Sequence, residues 1–558
     1  MKLVECVPNF SEGRDPDKIR AITREIETTP GVKLLDVDPG ASTNRTVVTF
    51  IGTPEAASEA AFRAMAKAAE VIDMRSHKGA HSRIGATDVC PFIPLTGTTM
   101  EDCAGLARAL GRRVADELGI PVYLYEEAAT TPERRNLAAI RQGEYEGLAK
   151  KLRDPVWKPD FGKPVFNARA GATVIGAREF LIAYNINLNT RDRKLASEIA
   201  LNIRESGRVR RDADGNILRD ASGEVLKTAG RFPHVKAVGW YIEDYGLAQI
   251  SINFTNYQIT PIHAVFDEVC AQADRLGLRV TGSELVGLIP RRALLDAGRH
   301  YLRKQGKSAG APEKELIRQA VLSLGLNDLS PFDPKKKVIE FHVEEEAAPL
   351  VGLDLLSFAD EVSMDSPAPG GGSVAALCGA LGAALSAMVA NLTVGKKGYE
   401  AAWEDMDRTA VRAQDLKDRL LLAVDRDTTA FKKVLEALRL PKSTPEQLRD
   451  REAVLEAANR EATAVPLGVL RDSLAVLDLA GTAAARGNAN SVSDAGVAAL
   501  AARAAAEGAY YNVLINLPNI GDASFRAATK KEAVLIRRRV LLRSAEVQKK
   551  VDKIIRKI

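Results

Sequence analysis

Near residue 353 the chain changes texture, and that change constrains its fold more than any other feature. Before it, strand-like runs such as "VKLLDVDP", "RTVVTFIG" and "PVYLYEE" alternate with amphipathic helical patterns such as "PEAASEAAFRAMAKAAEVI" and "MEDCAGLARALGRRVADELG". A second set starts at "REFLIAYNINLN" and runs strand–helix–strand–strand–helix–strand, the order of a split βαβ unit. After it, Ala, Leu, Arg and Glu dominate and strand signals nearly vanish. A chain of 558 residues exceeds one hydrophobic core, which stops growing near ~250–300 residues. The expected architecture is therefore multidomain α+β: two split-βαβ-like α/β sandwich subdomains, 1–180 and 181–343, an acidic linker, 344–352, and an all-α helical bundle, 353–558. Within the second subdomain, "RRDADGNILRDASGEVLK" carries Asp-Gly and Ser-Gly turns and reads as an exposed hairpin.

Ser373 to Val394 carries no charge, a length sufficient to span a bilayer. Seven of its residues are Ala and two are Gly, so a buried helix of a soluble bundle fits better than a membrane span. Leu377, Leu381, Leu385, Met388 and Leu392 recur at helical spacing, while Gly379, Gly382, Ala383 and Ala387 allow close helix approach. The five cysteines are dispersed with no C-x-x-C pair, which argues against a disulfide scaffold or structural zinc and for a reducing cytoplasm. The N-terminus has Glu5 and Glu12 and no long apolar run, unlike a signal peptide. A net charge of +5 is too small for a nucleic-acid polyelectrolyte.

The stretch "SHKGAHSRIGATDVCPF" puts His77 and His81 four residues apart. On a helix they would share a face, as metal ligands do, but Gly79 interrupts and the glutamate of H-E-x-x-H is absent. The alternatives are surface residues, or a general base on a glycine-hinged loop ahead of a buried strand.

Here the sequence resembles a known family. "LVECVPNFSEGRD", "LLDVDPGASTNRTVVTFIG", "HKGAHSRIGATDVCPFIPL", "FLIAYNINL" and "GSELVGLIP" are similar to glutamate formiminotransferases. "SPAPGGGSVAA", "VDRDTTAF", "LPKSTPEQ" and "GAYYNVLINLPNI" are similar to formiminotetrahydrofolate cyclodeaminases. In this order they resemble the bifunctional family that fuses the two, nearly end to end. The resemblance implies that His81 is the transferase base, with His77 a supporting neighbour. It places folate on Gly162, Lys163, Pro164, Val165, Phe166, Asn167, Ala168, Arg169, Ala170 and Gly171. The family often carries a bulky residue late in that segment, where this chain has Arg169-Ala170. Backbone contacts remain available there; without the resemblance the segment reads as a Gly-bounded loop between subdomains. The implied donor, N-formimino-L-glutamate, has two carboxylates and needs cations, for which Asn44, Arg45 and Arg83 are candidates; Glu284, interrupting an apolar strand, is a further polar candidate.

In the helical half, Ser366 and two prolines precede Gly370, Gly371, Gly372 and Ser373 at a helix start. Consecutive glycines let backbone amides approach a ligand, but no Lys follows as in a phosphate loop. A helix cap or, by resemblance, a folate loop are the readings. Asp425 and Asp427 lie about 200° apart on a helix, so one can face a pocket. The family's cyclodeaminase acid–base residue matches Asp427. The basic C-terminus, with Val, Leu and Ile at helical intervals, reads as an amphipathic helix with a solvated cationic face; the resemblance implies that this face helps hold a folate polyglutamate tail.

The implied enzyme transfers the formimino group to tetrahydrofolate, giving glutamate, then releases ammonia to form 5,10-methenyltetrahydrofolate. Both steps belong to histidine degradation in the cytoplasm. Tetrahydrofolate would be a co-substrate, with no metal, and the helical domain would assemble a homo-oligomer; neither nucleic acid nor membrane is expected as a partner. The rivals are a transferase with a non-catalytic helical scaffold and a folate-binding regulator without turnover.

Overall fold

The computed structural model describes residues 2–220, 223–343, 350–365 and 368–557. Two compact units emerge: residues 1–297 with 321–343, and residues 298–320 with 344–558. Residues 298–320, read from sequence with the second mixed subdomain, thus group with the helical unit. Most of the expected linker, residues 344–349, lies outside the described residues, as do Ser366 and Pro367.

The first unit opens with a seven-stranded sheet made of β1 (Leu3–Cys6), β2 (Asn9–Phe10), β3 (Val32–Gly40), β4 (Arg45–Gly52), β5 (Thr87–Thr96), β6 (Val122–Glu126) and β7 (Thr173–Ala177). Both β1 and β2 pair with β4 and β5, so they act as one strand interrupted at Val7-Pro8. With β3 beside β4, β4 beside β1 and β1 beside β5, the connection β–α–β–β–α–β is a split βαβ unit. Parallel strands β7 and β6 extend it beyond β5. Helices α1 (Pro16–Glu27), α2 (Pro54–Val71) and α3 (Met100–Leu118) cover one face. Each begins at a side-chain cap, Asp15, Thr53 and Thr99, which satisfies amides that the helix leaves unpaired. Short helices α4 (Leu137–Arg141) and α5 (Glu144–Lys151) follow β6.

The second sheet repeats the topology. β8 (Ile182–Leu188), α6 (Arg193–Ile203), the minor pair β9 (Arg208–Val209) and β10 (Lys227–Thr228), then β11 (Val235–Ile242), β12 (Leu247–Phe254), α7 (Ile262–Arg275) and β13 (Val280–Val286) give the sheet order β11-β12-β8-β13, antiparallel throughout. The bridges Arg211 to Ile217 and Arg219 to Val225 lie in the expected hairpin, whose described residues are largely exposed. Helices α8 (Arg291–Lys304), α9 (Glu313–Leu324), α10 (Pro334–Lys337) and α11 (Ile339–Val343) complete the stretch before residue 344.

Strand alternation decides what each sheet shows to its two sides. In β4, Val48 and Phe50 are buried in the helix-covered core, while Arg45, Val47 and Thr49 face the opposite side. In β8, Tyr184, Ile186 and Leu188 are buried apolar residues, while Asn185 and Asn187, also buried, occupy the other face. A buried face made of amides is uncommon, because each polar group there requires a partner.

The helical unit comprises α12 (Leu355–Ser363), α13 (Gly371–Asn391), α14 (Trp403–Arg439), α15 (Pro445–Arg486), α16 (Val492–Asn516) and α17 (Ala523–Ile555). Helix α13 is long and apolar enough to cross a membrane by length and composition, yet most of it is buried in the bundle. Its leucine stripe contributes to the core only in part. Leu381 is 55% exposed and Leu392 49%, whereas Ala376, Gly379, Ala380, Gly382, Ala383 and Ala387 are buried. The reason is proximity: a Cβ at Gly382 would lie 2.9 Å from the carbonyl oxygen of Ala498 on α16. Ala498, Ala502 and Ala505 answer from α16, so small residues set the helix separation; Leu381, Met388 and Leu392 turn outward, while Leu377 and Leu385 pack half-buried against the core. Helix α17 buries Ala533, Ile536, Val540 and Val547, and its arginines pair with Glu507 and Asp478.

Candidate active sites

His81 stands in the loop between α2 and β5, which is not helical, so the two histidines do not share a helix face. Glycine is required there twice. A Cβ at Gly79 would lie 2.1 Å from the Thr43 carbonyl oxygen, and one at Gly85 would lie 2.1 Å from that of Ala172. These close approaches press the loop against the sheet and aim His81 into a cavity. Val47, Thr49, Val89 and Pro91 of the first sheet line one side; Ala183, Asn253 and Val286 of the second line the other.

The imidazole is neutral and its tautomer is fixed. Nδ1 donates to the Ser82 carbonyl at 2.7 Å, which leaves Nε2 to accept from Arg45 Nη1 at 2.9 Å. Burial, followed by the charges of Arg45 and Arg141, pushes its pKa down to about 3. Arg45 has no carboxylate partner among the described residues, and burial pushes it down to about 10. Arg141 of α4 pairs with Asp88, whose fully buried carboxylate also accepts from the Ile84 amide at 3.0 Å. Arg178 and Lys236 line the same cavity, as do Glu5 and Glu126.

The other expected residues lie elsewhere. His77 donates through Nε2 to the Asn44 carbonyl at 2.9 Å and accepts from Arg83 Nε at 3.2 Å, bracing the loop. Arg83 is spent on Glu144 and Glu146 and is not brought to the His81 cavity. Asn44 accepts from the Gly13 amide and donates to the Lys78 carbonyl, another brace, and it too lies outside that cavity. Glu284 is held by Asn185 and Gln249, each at 2.9 Å, and by the Tyr245 hydroxyl at 3.0 Å, on the amide-rich face of the second sheet. Among the described residues, Asn187 Nδ2 in that network is buried without a partner.

Residues 162–171 form a surface segment outside the His81 cavity. Lys163, Pro164 and Val165 are exposed, Phe166 packs on Tyr145 with ring centroids 5.4 Å apart, and Asn167 caps the amides of Arg169 and Ala170. The Arg169 guanidinium donates to the carbonyls of Ala69 and Glu70 at the end of α2, and Ala170 is buried. Gly162 and Gly171 both adopt positive φ, closing the segment at each end.

In the helical unit Asp427 projects from α14 onto the first turn of α13. Ser373 Oγ lies 3.4 Å from its Oδ2 and also donates to the Val424 carbonyl at 2.9 Å. Gly372 makes this possible, since a Cβ there would lie 2.3 Å from Asp427 Oδ1. Burial raises the Asp427 pKa, against the lowering effect of Ser373. Asp425 turns away and accepts from the Leu350 amide at 2.9 Å. Among the described residues no cluster of three or more metal-ligating side chains occurs.

Three family descriptions match consecutive stretches: "Formiminotransferase domain, N-terminal subdomain" over residues 3–178, "Formiminotransferase domain" over 183–344 and "Formiminotransferase-cyclodeaminase" over 354–534. The formimidoyltransferase-cyclodeaminase of Gallus gallus is 46% identical over 538 residues, 95% of each chain. The chain belongs to the formimidoyltransferase-cyclodeaminase family. Each half of this family member also has relatives of its own. A glutamate formimidoyltransferase of Thermoplasma acidophilum is 46% identical over 56% of this chain and 95% of its own length. A methenyltetrahydrofolate cyclohydrolase of Methylorubrum extorquens is 40% identical over 32% of this chain and 85% of its own.

Sequence reading missed three cations of the His81 cavity in this family member. Arg141, Arg178 and Lys236 come from α4, the stretch after β7 and β11, and no motif links them. The one available signal was Asp88, a carboxylate inside an apolar strand, which had to find a buried cation.

Proposed function

We propose that this family member carries out two consecutive reactions on one folate. In the first, N5 of tetrahydrofolate attacks the formimino carbon of N-formimino-L-glutamate. The new N5–C bond forms, the bond to the glutamate nitrogen breaks, and the N5 proton passes through His81 Nε2 to the departing nitrogen. The observation that supports this most is the bond between Arg45 and the Nε2 lone pair, inside a cavity with three further cations. A donor carboxylate that draws Arg45 onto itself frees the Nε2 lone pair and offsets one of the charges that, after burial, depress its basicity, so substrate binding favours the base. Only proton transfer is required of the protein.

In the second reaction N10 attacks the same carbon, its proton goes to the Asp427 carboxylate, and ammonia leaves with a proton returned. A carboxyl raised by burial suits that exchange. The folate segment 162–171, and the loop Gly370–Ser373 beside Asp427, are the expected contacts for the pterin in the two halves. The cationic helix α17 suits a polyglutamate tail. The outward face of α13 and α16, with Leu381, Met388, Leu392, Val497, Leu500 and Tyr511 all more than a third exposed, suits self-association through the helical domain. Free cysteines suit a reducing cytoplasm, where this lyase step would complete histidine breakdown.

The test is one coupled assay on purified protein with N-formimino-L-glutamate and tetrahydrofolate. Glutamate, ammonia and methenyl product should appear in equal amounts. Glutamate without ammonia above the uncatalysed rate would leave the helical domain as a scaffold.

A further inference from the structure

Glu5 projects from β1 into the His81 cavity and is only 4% exposed. Its alternation places Val4 and Cys6 in the core and Glu5 on the same face as Arg45 and Thr49. Among the described residues nothing donates a hydrogen bond to its carboxylate. Burial pushes its pKa up to about 7, with the nearby charge of Arg178 opposing and that of Glu340 adding to the rise. A buried carboxylate without partners is costly, and in a cavity for a dianion it also repels the ligand.

The substrate chemistry resolves this, if the function proposed above holds. An N-formimino group is an amidine, strongly basic and cationic at neutral pH, so the donor has two carboxylates and one delocalised cation. Arg45, Arg141, Arg178 and Lys236 match the carboxylates. We propose that Glu5 accepts hydrogen bonds from the formamidinium of the donor and is the residue by which the enzyme selects a formimino over a formyl donor. The formyl analogue has a neutral carbonyl oxygen in place of the charged nitrogen, and it would leave Glu5 buried and facing an oxygen lone pair. Sites built around a buried polar partner reject an analogue lacking that partner strongly.

The experiment compares N-formimino-L-glutamate with N-formyl-L-glutamate as a competitor, in the wild-type full chain and in Glu5→Gln. Wild type should bind the formyl competitor on the order of 10²-fold more weakly than the donor. In Glu5→Gln that ratio should collapse towards one, because donor affinity falls while formyl affinity holds or improves. A merely structural role would weaken both ligands together and leave the ratio at its wild-type value, which would overturn the proposal. Should Glu5→Gln not fold, equal affinities of the two ligands for wild type would overturn it alone. Absence of formimino transfer by wild type would instead overturn the function itself, so the two failures are distinguishable.

Discussion

The two candidate sites use the same physics to opposite ends. Burial disfavours charge at both, pushing the His81 imidazole down to about 3 and the Asp427 carboxyl upward. For an imidazole the uncharged form is the base; for a carboxyl it is the acid. His81 therefore waits with an Nε2 lone pair that Arg45 occupies, while Asp427 holds a proton more readily than a surface aspartate does. The surroundings differ as well. The first site takes side chains from two sheets, a loop and α4, with four cations around one imidazole. The second rests on two helices, one glycine and one serine. A charged, small donor requires the first arrangement; an intramolecular ring closure, whose reacting groups already share one molecule, needs little beyond a proton carrier.

The largest effect should come from His81→Ala, which removes the proposed base. Glutamate release should fall on the order of 10³-fold, while ammonia release from supplied 5-formiminotetrahydrofolate stays at the wild-type rate. Loss of both would break the division between sites. Next is Arg141→Met, which strands the fully buried Asp88 carboxylate. Denaturant titration should show a cost of about 3–5 kcal/mol in the mixed-sheet transition, with the helical transition unmoved. Gly382→Leu should do the converse, destabilising the helical transition by about 1–3 kcal/mol by forcing α13 from α16. A further effect is acid sensitivity. The His81 pKa is depressed from 6.5 unfolded to about 3 folded, so its contribution to stability is full above pH 6.5 and is lost as pH falls towards 3. The wild-type melting temperature should fall more steeply across that window than that of His81→Ala.

Much of this was readable from residues alone. Strand-like runs, amphipathic helical patterns and the change near residue 353 announce two mixed sheets and a bundle. Gly79 speaks for a loop rather than a helix carrying the histidines. Other features were hidden because they depend on partners distant in sequence. The Leu377–Leu392 stripe suggested a core; the alanines of α16, over a hundred residues away, permit closer approach on the small-residue side, and Leu381, Met388 and Leu392 are left exposed. Arg83, beside His81 in sequence, looked suited to a substrate carboxylate until Glu144 and Glu146 claimed it. Arg141 gave no local sign of its place opposite Asp88.

The most direct test of two separate proton carriers is Asp427→Asn, assayed for glutamate and ammonia in the same reaction. The side chain keeps its shape against Gly372, so the fold should hold. Glutamate should form at the wild-type rate, with 5-formiminotetrahydrofolate accumulating and ammonia at the uncatalysed background. Undiminished ammonia, or a fall in glutamate that matches the fall in ammonia, would contradict it.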